Sequence, residues 1–122
     1  MLSETLLENV TVNLLTMAVT SLPDDVISAL ERAEEREDNQ VAKTQLEAIL
    51  KDVQIAKEKG LPLCQDTGVP LFFVSGGVKQ SLETMIRRGV ERATEQIPLR
   101  PNVVRPLSRE NKGDNLGERM PH

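Results

Sequence analysis

An α+β fold is predicted from three observations: apolar residues recur at helical spacing through the N-terminal half, a continuous apolar run at 69–74 has strand length, and helical spacing returns at 82–97. The expected order is a mainly helical N-terminal half, then a loop holding the only cysteine, a strand, a helix and an extended irregular C-terminal segment. Residues 1–60 are expected to form the helical scaffold of a single domain that spans the 122 residues.

In residues 6–19, Leu7, Val10, Leu14, Met17 and Ala18 recur three and four apart and mark one apolar stripe on a first helix ending near Leu22. Pro23 with Asp24 and Asp25 starts the second. Proline lacks only a donor that the first turn leaves unpaired, and acids favour the positive helix end. Val26, Ile27, Leu30 and Ala33 supply its inner face, and Glu31, Arg32, Glu34, Glu35 and Arg36 a solvated one. Asp38 or Asn39 caps a third helix with Ala42, Leu46, Ile49, Leu50, Val53 and Ala56 inward and Gly60 as its stop. The period then changes. Val69-Pro70-Leu71-Phe72-Phe73-Val74 reads as a buried strand ended by Ser75-Gly76-Gly77, and Leu82, Ile86, Val90, Ala93 and Ile97 line a fourth helix. Pro98, Pro101, Pro106 and Pro121, with Gly113 and Gly117, deny the tail a long regular element. A lone strand needs a partner for its backbone groups, which the extended tail, a second copy or another chain would supply.

Hydrophobic residues make up 39% of the chain, and Phe72 and Phe73 are its only aromatics, so the core is aliphatic and modest. A net charge of −4 without Trp or Tyr offers neither a basic field nor a stacking platform, which argues against nucleic-acid binding. No apolar run approaches the roughly 20 residues that span a bilayer, and no signal-peptide order opens the chain, so no membrane partner and a cytoplasmic location are expected. One cysteine excludes an internal disulfide and suits a reducing compartment.

That cysteine lies in Pro62-Leu63-Cys64-Gln65-Asp66-Thr67-Gly68, directly before an amide, a carboxylate, a hydroxyl and a glycine. A thiolate binds transition metals or iron–sulfur clusters, and neighbouring polar groups can hold a ligand placed on the metal. Taken alone, a single cysteine is more often a buried, unreactive thiol, and Asp-Thr-Gly usually just a turn. The tail carries Arg100, Arg105, Arg109, Lys112 and Arg119 against Glu110, Asp114 and Glu118, a local positive balance that suits a dicarboxylate or merely solvates the segment. His122, at the last position, reads as a solvated terminus in preference to a metal ligand.

The ordered combination of Leu63-Cys64-Gln65-Asp66-Thr67-Gly68, Gly76-Gly77, Leu99-Arg100-Pro101-Asn102-Val103-Val104 and Asn111-Lys112-Gly113-Asp114-Asn115 is more specific. It resembles the N-terminal part of the alpha subunit of class I, iron–sulfur fumarate hydratases and the related L-tartrate dehydratases. The resemblance implies a [4Fe-4S] cluster with Cys64 as one of three cysteine ligands, the others lying outside this chain, and 61–122 as the cluster- and substrate-binding region. It implies that Gln65 donates to a substrate carboxylate, that Asp66 binds the hydroxyl and takes part in its proton transfer, and that Arg100 grips a carboxylate. Thr67 and Gly68 would shape the loop and present backbone N–H groups; the match over 111–115 carries no individual role. The implied reaction is reversible hydration of a small dicarboxylate, fumarate to L-malate foremost or tartrate to oxaloacetate, in a homodimer of pairs formed with a beta subunit or beta domain. Family alpha subunits are considerably longer, so the chain is expected to be a fragment, inactive by itself. The competing expectation is a non-catalytic helical interaction module with Cys64 structural or redox-sensitive; Lys59 is the nearest cation in sequence that could activate the thiol.

Overall fold

The computed structural model describes residues 3–64, 66, 68–76, 80–100, 102–105, 107–111 and 113–116. Four helices follow in order: α1 Glu4–Thr20, α2 Asp24–Arg36, α3 Gln40–Lys59 and α4 Gln80–Gln96. Each start or stop that the structure describes has a local cause. The Ser3 hydroxyl accepts from the Leu6 N–H at 3.2 Å and opens α1. Ser21 closes it two residues after Val19, its N–H and hydroxyl both donating to the Met17 carbonyl. Pro23 sits at the N-cap of α2, one position before the helix, and its carbonyl accepts from Val26 and Ile27 at 3.1 Å each. Of the two expected caps for α3, Asn39 serves, and Gly60 ends the helix in the left-handed region at φ 63°. The N–H groups of Gly60 and Leu61 both reach the Ala56 carbonyl, which satisfies a last-turn acceptor and turns the chain toward the cysteine.

Helices α2 and α3 form a hairpin tied by a Lys43–Glu34 ion pair at 3.1 Å. Helices α1 and α4 run parallel, as their pairings show: Arg88 meets Glu4 and Glu8, Arg92 meets Glu8 and Asn9, Val12 packs with Ala93, and Leu15, Val19 and Leu99 close around Ile97. Ala93 is wholly buried, and Val12 and Ile97 nearly so.

The inward face of α1 differs from the expected stripe. Val10, Leu14 and Met17 point outward, Met17 with 64% of its surface exposed, whereas Thr11, Val12, Leu15 and Val19 face α4 or lie partly buried beside it. This helix is apolar on more than one side, so its periodicity located a stripe without saying which stripe is covered. On α2, Ile27 and Leu30 are half-buried while Val26 and Ala33 are exposed.

The expected strand at 69–74 is a second correction. Its residues are extended but belong to no ladder, and among the described residues no backbone hydrogen bond joins them to a neighbour. The segment offered as a partner, the tail, closes on itself through one antiparallel bridge, Val104 to Asn111. The described residues are therefore mainly helical with a single bridge, and the sheet of the α+β expectation is not formed. None of the described helices is long and apolar enough to cross a membrane.

Candidate functional site

The cysteine loop is held at its start by the core. The Leu63 N–H donates to the Val19 carbonyl at the end of α1, at 2.8 Å, and the Leu63 side chain lines a groove of about 390 Å³ with Leu22, Ala48, Ile49 and Val53. The groove belongs to the scaffold; neither Asp66 nor Arg100 lines it. One residue further on, Cys64 is exposed, and its thiol makes one long contact, Sγ to the Asp66 carbonyl at 3.4 Å. The thiol is therefore exposed, not buried, in the described structure.

Asp66 folds back on its own turn. Its Oδ1 accepts from the Gly68 N–H at 3.3 Å, with Gly68 at φ 67°, which explains the Asp-Thr-Gly triplet: the carboxylate replaces a backbone acceptor and glycine takes the left-handed position. The Gly68 N–H is thus engaged by Asp66 in this structure. The same Oδ1 accepts from Asn102 Nδ2 at 2.9 Å, which leaves Oδ2 without a partner among the described residues. Gln65 and Thr67 lie outside the described residues, as do Gly77, Pro101, Lys112 and His122.

Arg100 is exposed two residues after Pro98, and its carbonyl accepts from Asn115 Nδ2 at 3.4 Å. Asn115 Oδ1 accepts from the Asn102 N–H at 2.9 Å, and Asn115 Nδ2 also reaches Thr94 Oγ1 on α4 at 3.5 Å. Cys64, Asp66 and the backbone of Arg100 are therefore brought to one region through Asn102 and Asn115. Sequence reasoning assigned those two residues no individual role; the only signal was their place in the two motifs. Asn111 serves the tail itself, donating through Nδ2 to the Val103 carbonyl at 2.7 Å and accepting from the Gly113 N–H.

As a metal site the described residues supply one soft donor. Cys64 fits a ligand's part, being exposed on a short loop with only a weak bond to give up on deprotonation. No group of three His, Cys, Asp or Glu side chains able to hold a metal exists among the described residues. The remaining ligands of a cluster would have to come from elsewhere.

Comparison with known proteins gives the same direction. The family described as fumarate hydratase (Fumerase) matches residues 8–121. A protein of Methanocaldococcus jannaschii, provisionally named L(+)-tartrate dehydratase subunit alpha, is 46% identical over 94% of this chain and 42% of its own length. A Geobacillus stearothermophilus protein provisionally named class I fumarate hydratase is 40% identical over 84% of this chain and 21% of its own length. The L(+)-tartrate dehydratase subunit alpha of Escherichia coli K12 is 32% identical over 94% of this chain and 39% of its own length. The chain thus spans less than half the length of these relatives. On the extent of that match, the chain belongs to the fumarate hydratase (Fumerase) family.

Proposed function

We propose that this chain is part of a hydro-lyase that reversibly adds water to a small dicarboxylate, with Cys64 as one ligand of a [4Fe-4S] cluster. The observation that carries this reading is the placement of an exposed thiol in one turn with Asp66, whose carboxylate is tied to the segment that follows Arg100. When bound, the cluster would supply a Lewis-acidic iron that stabilises the departing hydroxide. Asp66 receives the substrate hydroxyl at Oδ2, which has no partner among the described residues, and handles its proton. Gln65 donates to one substrate carboxylate, and the planar Arg100 guanidinium grips a carboxylate in two-pronged fashion, a task lysine would do less well. The base that takes the proton from the adjacent carbon lies outside this chain.

In this reading residues 1–60 are scaffold and 61–122 bind cluster and substrate, fumarate and L-malate or tartrate. The relatives named as alpha subunits support a beta subunit as partner, and we assign a homodimer of such pairs. A thiol that must stay reduced to act as a ligand suits a cytoplasmic location.

The test is Cys64→Ser in the complete assembly, purified without oxygen. Iron content is expected to fall together with turnover of L-malate and tartrate. Unchanged iron and unchanged turnover would sink the reading and leave the helical interaction module.

A further inference from the structure

We infer that Asn102 is a positioning residue: anchored through Asn115 to Thr94 on α4, it holds the Asp66 carboxylate in register with the chain that carries Arg100. The inference rests on the reading of Asp66 as a catalytic group.

The relay begins in the rigid part of the molecule. Thr94 is buried on α4, next to Ala93 at the α1 interface, and its hydroxyl lies 2.9 Å from the Val90 carbonyl and 3.3 Å from that of Asp114. Asn115, only 3% exposed, stands against it in the left-handed region at φ 54°, a conformation that asparagine tolerates better than most residues. Its side-chain amide meets three groups at once: the Thr94 hydroxyl on α4, the Arg100 carbonyl and the Asn102 N–H. A buried amide bonded in this way holds the Arg100 carbonyl and the Asn102 N–H, since losing a partner would leave a polar group unsatisfied.

From that backbone the Asn102 side chain reaches across to Asp66. Its Nδ2 donates at 2.9 Å to a carboxylate oxygen, a charge-assisted bond on a short, stiff side chain. Among the described residues of its own loop, the Asp66 carboxylate has only the longer bond from Gly68. Asn102 thus sets the rotation of the carboxylate and the direction of Oδ2. Arg100, whose carbonyl the same Asn115 side chain holds, would meet the other end of a substrate that Oδ2 contacts. A misplacement of about 1 Å at such a group can cost on the order of a hundredfold in rate.

The experiment is a double-mutant cycle in the complete, iron-loaded assembly, following kcat and KM with whichever of L-malate or tartrate it turns over. Asn102→Asp keeps the shape and the backbone bond to Asn115 but replaces the donor by an acceptor; Asn102→Ala keeps the same backbone bond and removes the side-chain amide altogether. Each is expected to lower kcat about tenfold or more with KM within about threefold, and less than about threefold further when Asp66 is already Asn. Iron content is expected to stay at the wild-type level. Wild-type kcat in Asn102→Asp, or equal losses in both backgrounds, would overturn the inference, as would failure of both variants to fold. Those results leave Asp66 catalytic if Asp66→Asn alone is impaired. Full activity in Asp66→Asn would instead overturn the reading of the site itself, and the positioning role with it.

Discussion

At Asn39 the side-chain Oδ1 accepts from the N–H groups of Val41 and Ala42 at 3.0 and 3.2 Å, and Glu37 Oε1 accepts from the Asn39 N–H at 2.9 Å. Two of the donors that a helix start leaves orphaned are thus satisfied by one short side chain. Asn39→Ala is expected to cost about 1 kcal/mol, read as a lower urea midpoint with an unchanged slope, while Asn39→Asp stays near wild type. A midpoint unmoved by the alanine would show that α3 is held by its packing alone. Capping of this kind is legible in sequence because it depends on residue type and on spacing within one turn. The turn at Asp66 is legible for the same reason. Asn115 is not: its importance comes from burial and from partners 15 and 21 residues away, and nothing local distinguishes it from a solvated loop asparagine.

Among elements, the approach of α1 to α4 turns on Gly89. A Cβ there would stand 2.5 Å from Thr11 Cβ, 2.6 Å from its Cγ2 and 3.1 Å from the Glu8 carbonyl. The Thr11 hydroxyl donates back to the Leu7 carbonyl at 3.0 Å, which satisfies its polar group inside α1 and lets its carbon atoms meet the glycine. In an unencumbered helix interior, Gly→Ala would stabilise by about 0.5–1 kcal/mol. Here the backbone of one helix must move, and overpacking of this kind costs roughly 1–3 kcal/mol, so Gly89→Ala is expected to destabilise the protein. Thermal unfolding checks the sign: a raised Tm would mean that the helices do not approach this closely. The contact also explains which face of α1 is inward. Helix existence and ends were legible in the sequence because the apolar spacing and the caps are local. The choice between two apolar faces was not, because a glycine 78 positions beyond Thr11 made it. The run at 69–74 shows the converse: its composition is that of a strand, but a ladder requires a second strand, which a property of one segment cannot supply.

Across the whole molecule, the buried apolar residues are few, and no large side chain among the described residues is fully buried. Much apolar surface stays outside. Leu6, Val10, Leu14 and Met17 form an outward stripe along α1, and Leu71 and Phe73 project from the unpaired extended segment, Phe73 with 97% of its surface exposed. Single exposed apolar residues are ordinary, whereas an apolar stripe along a helix, or extended backbone with no ladder partner among the described residues, is a surface suited to further protein. Two consequences follow for the 122 residues expressed alone. They are expected to bind a hydrophobic dye such as 1-anilinonaphthalene-8-sulfonate and to associate in sedimentation, and both signals should fall when the same residues are part of the complete assembly. Met17→Lys and Leu14→Glu lie on the outward stripe and away from the α4 contact. Together they should reduce self-association of the isolated chain while leaving its helical circular dichroism unchanged, because no buried contact is lost. In the complete assembly the same pair is expected to weaken subunit recovery if the stripe is covered there. A dye-silent, cooperatively unfolding monomer would show that these surfaces are tolerated in water and need no covering partner.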